Sequence, residues 1–195
     1  MERISEITRT TRETDITIRL DLDGRGKTDI DTGVPFFDHM LDAFGRHGLF
    51  DLTVHARGDV DVEAHHTVED CGIVLGQCFA QALGDCRGIV RYGSILPMDE
   101  ALVMAAVDIS GRGQLHYDVE MTCPLLGSFD VTLAQEFFIA LATNMGATLN
   151  IRSVTGRNMH HILEAAFKAA ARAISAAVAI DPRIADEVPS TKGVL

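Results

Sequence analysis

The strongest constraint on this chain is internal repetition. His65-His66-Thr67-Val68-Glu69 reappears as His160-His161-Ile162-Leu163-Glu164. Each copy follows a strand-like stretch, Asp51-Leu52-Thr53-Val54 in one case and Thr148-Leu149-Asn150-Ile151 in the other. Further back lies an apolar helical run with a possible ligand at the same phase, His39 in FFDHML and Glu136 in AQEFFI. A chain of 195 residues can bury a core without disulfide staples. Repetition of this kind divides it into two similar units that pack about a pseudo-twofold axis.

Hydrophobic periodicity supplies the elements. Ile16, Ile18, Leu20 and Leu22 alternate with polar residues, the period of a half-buried strand. Arg3 to Thr10 reads as an edge strand, Asp23-Gly24-Arg25-Gly26 as a turn and Lys27 to Asp31 as a return strand. Pro35 opens a helix that Gly48 ends, with Phe36, Met40, Leu41 and Phe44 on one face. A strand from Leu49 to Ala56 and a helix from His65 to Leu83 complete the first half. In the second half, strands are expected at Ile95 to Met98, Ala101 to Ile109 and Gln114 to Val119. A helix from Phe129 to Asn144, a strand from Thr148 to Val154 and a long buried helix from Asn158 to Ala179 follow. Both halves read β-β-β-α-β-α, an α+β fold of duplicated half-domains. The first repeat spans 1–88 and the second 89–195, the latter with a polar tail from Asp181.

Composition removes several functional classes. Asp plus Glu number 28 against 17 Lys plus Arg, a net charge of −11, which opposes nucleic acid as a general partner. No apolar run is long enough to span a membrane. The N-terminal MERISEITRTTRETD lacks the apolar stretch of a secretory signal, and four cysteines without a CxxC pair read as reduced thiols. The expected location is the cytoplasm.

On a helix each residue advances about 100°. His65 and Glu69 therefore share a face, as do His160 and Glu164, while adjacent histidines diverge and suit two ions better than one. Imidazole with carboxylate fits Mn²⁺, Fe²⁺ or Zn²⁺, and HExxH, the zincin string, is absent. A helix start copied by duplication would explain the glutamates but not two adjacent histidines in each half. A di-metal phosphate-ester hydrolase and a metal-dependent storage shell remain open on these residues. Phosphate release would mark the first. Metal-replete oligomer without turnover would mark the second.

Longer motifs carry a resemblance. RxTxET (Arg9, Thr11, Glu13, Thr14), DTGVPFFDHML (Asp31 to Leu41) and GDVDVEAHHTVEDCGIVLG (Gly58 to Gly76) occur in order. RYGS, PMDEAL, DISGR, GRNMHHILEAAFKA and PSTKGVL follow, the last ending at Leu195. In these the chain resembles the imidazoleglycerol-phosphate dehydratases of histidine biosynthesis. The resemblance implies a duplicated half-domain of the ribosomal S5 domain 2-like kind. An RNA-binding module of that fold is disfavoured by the charge. It also implies a trimer-based homo-oligomer of 24 subunits, with two Mn²⁺ per active site and sites formed where subunits meet. The implied ligands are His39, His65, His66, Glu69, Glu136, His160, His161 and Glu164. Glu136 stands where some members carry histidine, and Asn150 where relatives often do. Arg91, Arg112, Lys168, Ser190 and Lys192 would hold the substrate phosphate, with His47 and Asp99 as further substrate contacts. A fused histidinol-phosphatase domain does not fit in this length.

The implied reaction removes water from imidazoleglycerol phosphate to give imidazoleacetol phosphate. The proton to be lost has no carbonyl beside it, so enolate chemistry is closed. A ring held on Mn²⁺ as imidazolate can expel the neighbouring hydroxyl to a diazafulvene, which acidifies the next C–H. The resemblance makes Glu13 the base, reaching the substrate from another subunit.

Overall fold

The structure is a computed structural model that describes residues 2–93 and 96–195. The first half runs β1 (Ile4–Thr10), β2 (Thr14–Asp21), β3 (Thr28–Asp31), α1 (Pro35–Gly48), β4 (Asp51–Gly58) and α2 (His65–Leu83). The second runs β5 (Leu96–Met98), β6 (Ala101–Ile109), β7 (Gln114–Asp118), β8 (Leu125–Leu126), β9 (Phe129–Asp130), α3 (Thr132–Met145), β10 (Ala147–Thr155) and α4 (Met159–Val178). The expected strand from Ile95 begins outside the described residues, and its described part is β5.

The two main sheets share one topology, β1-β2-β4-β3 and β5-β6-β10-β7. In each, two antiparallel pairings are followed by one parallel pairing, β3 on β4 and β7 on β10. Alternation drives the strands. Ile16, Ile18 and Leu20 of β2 face the core, as do Ala101, Val103, Ala105, Val107 and Ile109 of β6. Each helix packs on its own sheet and on a helix of the other half, α1 with α4 and α2 with α3. The helices therefore form the centre and the sheets the outer layers. Phe137 bridges the halves, with ring centroids 5.3 Å from Phe37 and 5.4 Å from Phe167. Alanine covers α4 so thoroughly that backbone can approach it. A Cβ on Gly93 would lie 2.0 Å from the Ala173 carbonyl oxygen.

Two local expectations change, and the expected end of α1 at Gly48 holds. Lys27 to Asp31 does not return along β2. Its described strand, β3, lies at the far edge beside β4. The chain crosses the end of β4, where the Asp51 carboxylate accepts the N–H groups of Arg25 (2.7 Å) and Lys27 (2.9 Å). A Cβ on Gly24 would sit 2.2 Å from the Asp51 nitrogen, so only glycine fits that crossing. The helix expected from Phe129 starts at Thr132, because Phe129 and Asp130 pair with Leu125 and Leu126 in a small hairpin. At the end of α1 it is Leu49 that turns left-handed, with φ 60°, while Gly48 makes room for the Phe50 ring.

The tail contains no helix and no strand pairing among the described residues; the isolated bridge of Ile180 with Ile89 lies just before it. It is nevertheless tied down. Asp181 N–H donates to the Gly88 carbonyl, Gly88 N–H to Glu187, and the Arg91 guanidinium to Pro189 at 3.0 Å.

Candidate metal centre and anion cleft

The helix pair α1/α4 carries the tightest ligand cluster. Single ligand atoms of His39, His160 and Glu164 lie within 4.8 Å of one another. Asn158 caps α4 by accepting the N–H of His160, which sets the first turn. His160 Nε2 is 3.2 Å and His39 Nε2 3.8 Å from Glu164 Oε2, and Lys168 Nζ is 2.5 Å from Oε1. Glu164 is 7% exposed. Burial raises its pKa, but the Lys168 hydrogen bond and the charges of Lys168, His39 and His160 outweigh that and leave it below the ordinary value.

The pair α2/α3 carries the other copy. His65 Nε2 is 3.5 Å from Glu69 Oε2. His66 presents Nδ1 to Asp59 at 3.0 and 3.2 Å and Nε2 to Glu13 Oε2 at 3.9 Å. Its pKa is raised by the Asp59 hydrogen bond, against desolvation and with help from Glu13. The Glu13 turn is braced against α2. The Thr11 hydroxyl accepts the N–H groups of Glu13 and Thr14, and Arg9 and Thr14 both hold the buried Asp70 carboxylate.

Helix directions relate the two clusters. On α1 and α4, Phe36 meets His160 and Gly48 meets Ala171. On α2 and α3, Gly72 meets Phe137 and Ala140, and Gly76 meets Leu141 and Asn144. Both pairs run in the same sense, so Glu136 on α3 is to α2 what His39 on α1 is to α4. Among the described residues, no ion pair or side-chain hydrogen bond engages Glu136, and only His39, His160 and Glu164 come together as a three-ligand group. The eight expected ligands are thus divided between two helix pairs.

Two carboxylates that the repeat did not reveal complete the picture. Asp59 holds His66, and Glu100 holds His161 Nδ1 at 2.8 Å. Glu100 also accepts the backbone N–H of Asn158, and its pKa falls to about 2, chiefly through the His161 hydrogen bond. PMDEAL had pointed to Asp99, whose backbone is left-handed at φ 47° and whose side chain is exposed. The available signal was position: Glu100 directly precedes β6 as Glu13 directly precedes β2.

The expected phosphate residues also divide. Arg91, Arg112, Ser190 and Lys192 line one cleft of about 600 Å³ beneath the tail, together with Ser110. Arg91 is left-handed at φ 75°, is held by Asp108 at 2.6 Å and donates to the Pro189 carbonyl at 3.0 Å, so its role includes fixing the tail. Arg112 donates to the Ser110 carbonyl at 3.1 Å. The Ser110 hydroxyl is buried and has no partner among the described residues. Lys168 lies instead with Glu164. His47, near the end of α1, has a lowered pKa, first through desolvation and then through the charge of Lys168.

Comparison with known proteins gives one consistent answer. A family model described as imidazoleglycerol-phosphate dehydratase matches residues 32–174. A protein of that name from Acidiphilium cryptum is 59% identical over 196 residues, covering 100% of both chains. One from Dinoroseobacter shibae is 58% identical, covering 99% of this chain and 100% of its own. Among solved structures, that of the Staphylococcus aureus enzyme has a TM-score of 0.83 at 38% identity, covering 91% of this chain and 99% of that one. The Pyrococcus furiosus structure has a TM-score of 0.84 at 38% identity, with 97% and 100% covered.

Proposed function

The chain belongs to the imidazoleglycerol-phosphate dehydratase family, and from that premise we propose that its reaction depends on two Mn²⁺ ions and follows the diazafulvene route. The dehydratase activity, a hydro-lyase reaction on a phosphorylated imidazole in histidine biosynthesis, comes with the family. The His39–His160–Glu164 cluster carries the metal reading. Nitrogen and carboxylate donors converge there without a thiolate, a set suited to a divalent ion of intermediate softness.

His39, His160 and Glu164 would hold one ion, and His65, Glu69 and Glu136 are the corresponding residues on α2/α3, with His66 and His161 as the remaining ligands. When bound, Mn²⁺ supplies Lewis acidity to the ring nitrogens of the substrate. Lys168 keeps Glu164 ionised and its Oε2 turned toward the histidines. Glu13 takes the carbinol C–H proton on Oε2, the oxygen that faces His66. Arg112, Ser190 and Lys192 receive the phosphate, and Arg91 secures the tail that carries two of them. His47 and Asp99, which lie outside that cleft, are the further substrate contacts of this reading.

Division of the ligands between two helix pairs favours sites completed by a second subunit. The 24-mer built from trimers is proposed from the family resemblance. No described helix is long and apolar enough to cross a membrane. A cytoplasmic location is part of the proposal, supported by the family's biosynthetic role.

The test is an assay with imidazoleglycerol phosphate. EDTA treatment should abolish ketone formation and Mn²⁺ should restore it. Activity that survives complete metal removal, or release of inorganic phosphate in place of the ketone, would overturn the reading.

A further inference from the structure

In both His-His-x-x-Glu strings the two histidines are held differently. The first faces the glutamate one turn along its own helix, at 3.5 Å for His65 and 3.2 Å for His160. The second is held at Nδ1 by a carboxylate from outside the helix, Asp59 on His66 at 3.0 Å and Glu100 on His161 at 2.8 Å.

The contact is shared, but its origin is not. Asp59 lies in the loop between β4 and α2, and Glu100 in the turn between β5 and β6. The second-half counterpart of the Asp59 loop is Gly156-Arg157-Asn158, which has no carboxylate. The first-half counterpart of the Glu100 turn carries Glu13, which stands 3.9 Å from the other nitrogen, Nε2, of His66. Duplication therefore accounts for the histidines and not for the carboxylates that hold them. The same Nδ1 contact arises from two unrelated positions, which points to a requirement of the histidines themselves. Glu100 is further immobilised, because Oε1 accepts the N–H groups of Asn158 (2.9 Å) and Arg157 (3.3 Å) and leaves Oε2 for His161.

We propose that Glu100 and Asp59 are positioning residues that hold His161 and His66 as Nδ1–H tautomers and so present Nε2 as the ligand nitrogen. This rests on the reading of both histidines as Mn²⁺ ligands. An ionised carboxylate only accepts hydrogen bonds, so the single proton of a neutral imidazole must sit on the nitrogen that faces it. The other nitrogen then keeps its lone pair, with ring orientation and basicity set by the carboxylate. Glu100→Gln makes the point sharply. The amide oxygen stays on the two backbone N–H groups, and the NH₂ faces His161 Nδ1, which must then accept. The ring proton moves to Nε2 and blocks ligation.

Two readouts on the full-length protein test this. Solid-state NMR of metal-free, ¹⁵N-histidine-labelled protein at pH 8.5 reports tautomers. Glu100→Gln should convert one histidine from Nδ1–H to Nε2–H, and Asp59→Leu, which removes the acceptor without offering an amide oxygen in its place, should shift a different one away from the Nδ1–H form. Titration with Mn²⁺, followed by the EPR signal of the free ion, should show one binding step weakened roughly 10- to 100-fold in each variant. Unchanged tautomers, or unchanged Mn²⁺ affinity in both variants while wild type binds Mn²⁺, would overturn the positioning role alone. Wild-type protein that takes up no Mn²⁺ would overturn the metal reading and this proposal with it. The two substitutions lie on different loops, so if one variant fails to fold the other still decides.

Discussion

Lys168 and Glu164 show why single residues matter here. The Glu164 and Lys168 side chains are only 10% and 15% exposed, and each neutralises the other. Lys168→Met should leave the metal-free protein with an uncompensated buried carboxylate and cost about 3 kcal/mol. Urea denaturation after EDTA treatment measures it, and an unchanged midpoint would remove Lys168 from that role. Glu13 differs: it is exposed and its turn is braced by Thr11, Thr14 and Arg9 rather than by its own carboxylate. Glu13→Gln should keep fold and Mn²⁺ uptake while kcat falls by roughly 10²- to 10⁴-fold. Near-normal kcat would exclude it as the base. The histidine pairs and their i+4 glutamates are readable in sequence because helical spacing alone puts them on one face. Asp59 and Glu100 are not, because the loop paths decide which carboxylate reaches a ring.

Elements follow periodicity where burial is one-sided. β2, β6 and α2 lie where alternation or helical spacing puts them, since each presents one apolar face to a partner. β3 alternates over only four residues, too few to name its neighbour, and its parallel pairing with β4 follows the crossing that the Asp51 contacts hold. The start of α3 was obscured for a related reason: Phe129 is as buried in a hairpin as it would be in a helix. The α2/α3 contact depends on glycine. A Cβ on Gly72 would stand 2.6 Å from the Phe137 carbonyl oxygen and 2.9 Å from Ala140 Cβ. Gly72→Ala should push the helices apart, cost about 1–3 kcal/mol and disturb the α2 ligands. A lower thermal midpoint together with weaker Mn²⁺ binding is the expected result. An unchanged midpoint would show that the helices move apart freely.

At the scale of the whole molecule, burial governs the alkaline limit. The Cys78 thiol is pushed up from 9.0 to about 11 by desolvation, and burial also raises Cys71 and Tyr117. These groups keep protons in the folded state that the unfolded chain releases. Their contribution is complete below the unfolded value and declines as pH rises through the folded one. Denaturation midpoints should therefore hold near pH 8 and fall between pH 9 and pH 11. Ellman's reagent at pH 8 should reach no more than the half-buried Cys86 and Cys123 until guanidine exposes all four thiols. Stability that rises above pH 9 would contradict the burial of these groups.

The repeat, the order of the main strands and helices and the histidine-glutamate strings were determined by sequence alone, because each depends on spacing along one segment of chain; the β8/β9 hairpin was not. The pairing of α1 with α4 and α2 with α3, the separation of Lys168 from the tail cleft and the carboxylate on each second histidine were decided only by tertiary structure. Those contacts join residues far apart in the chain. Their partners are set by where the pseudo-twofold packing of two helical layers brings loop ends together, and local spacing carries no record of that.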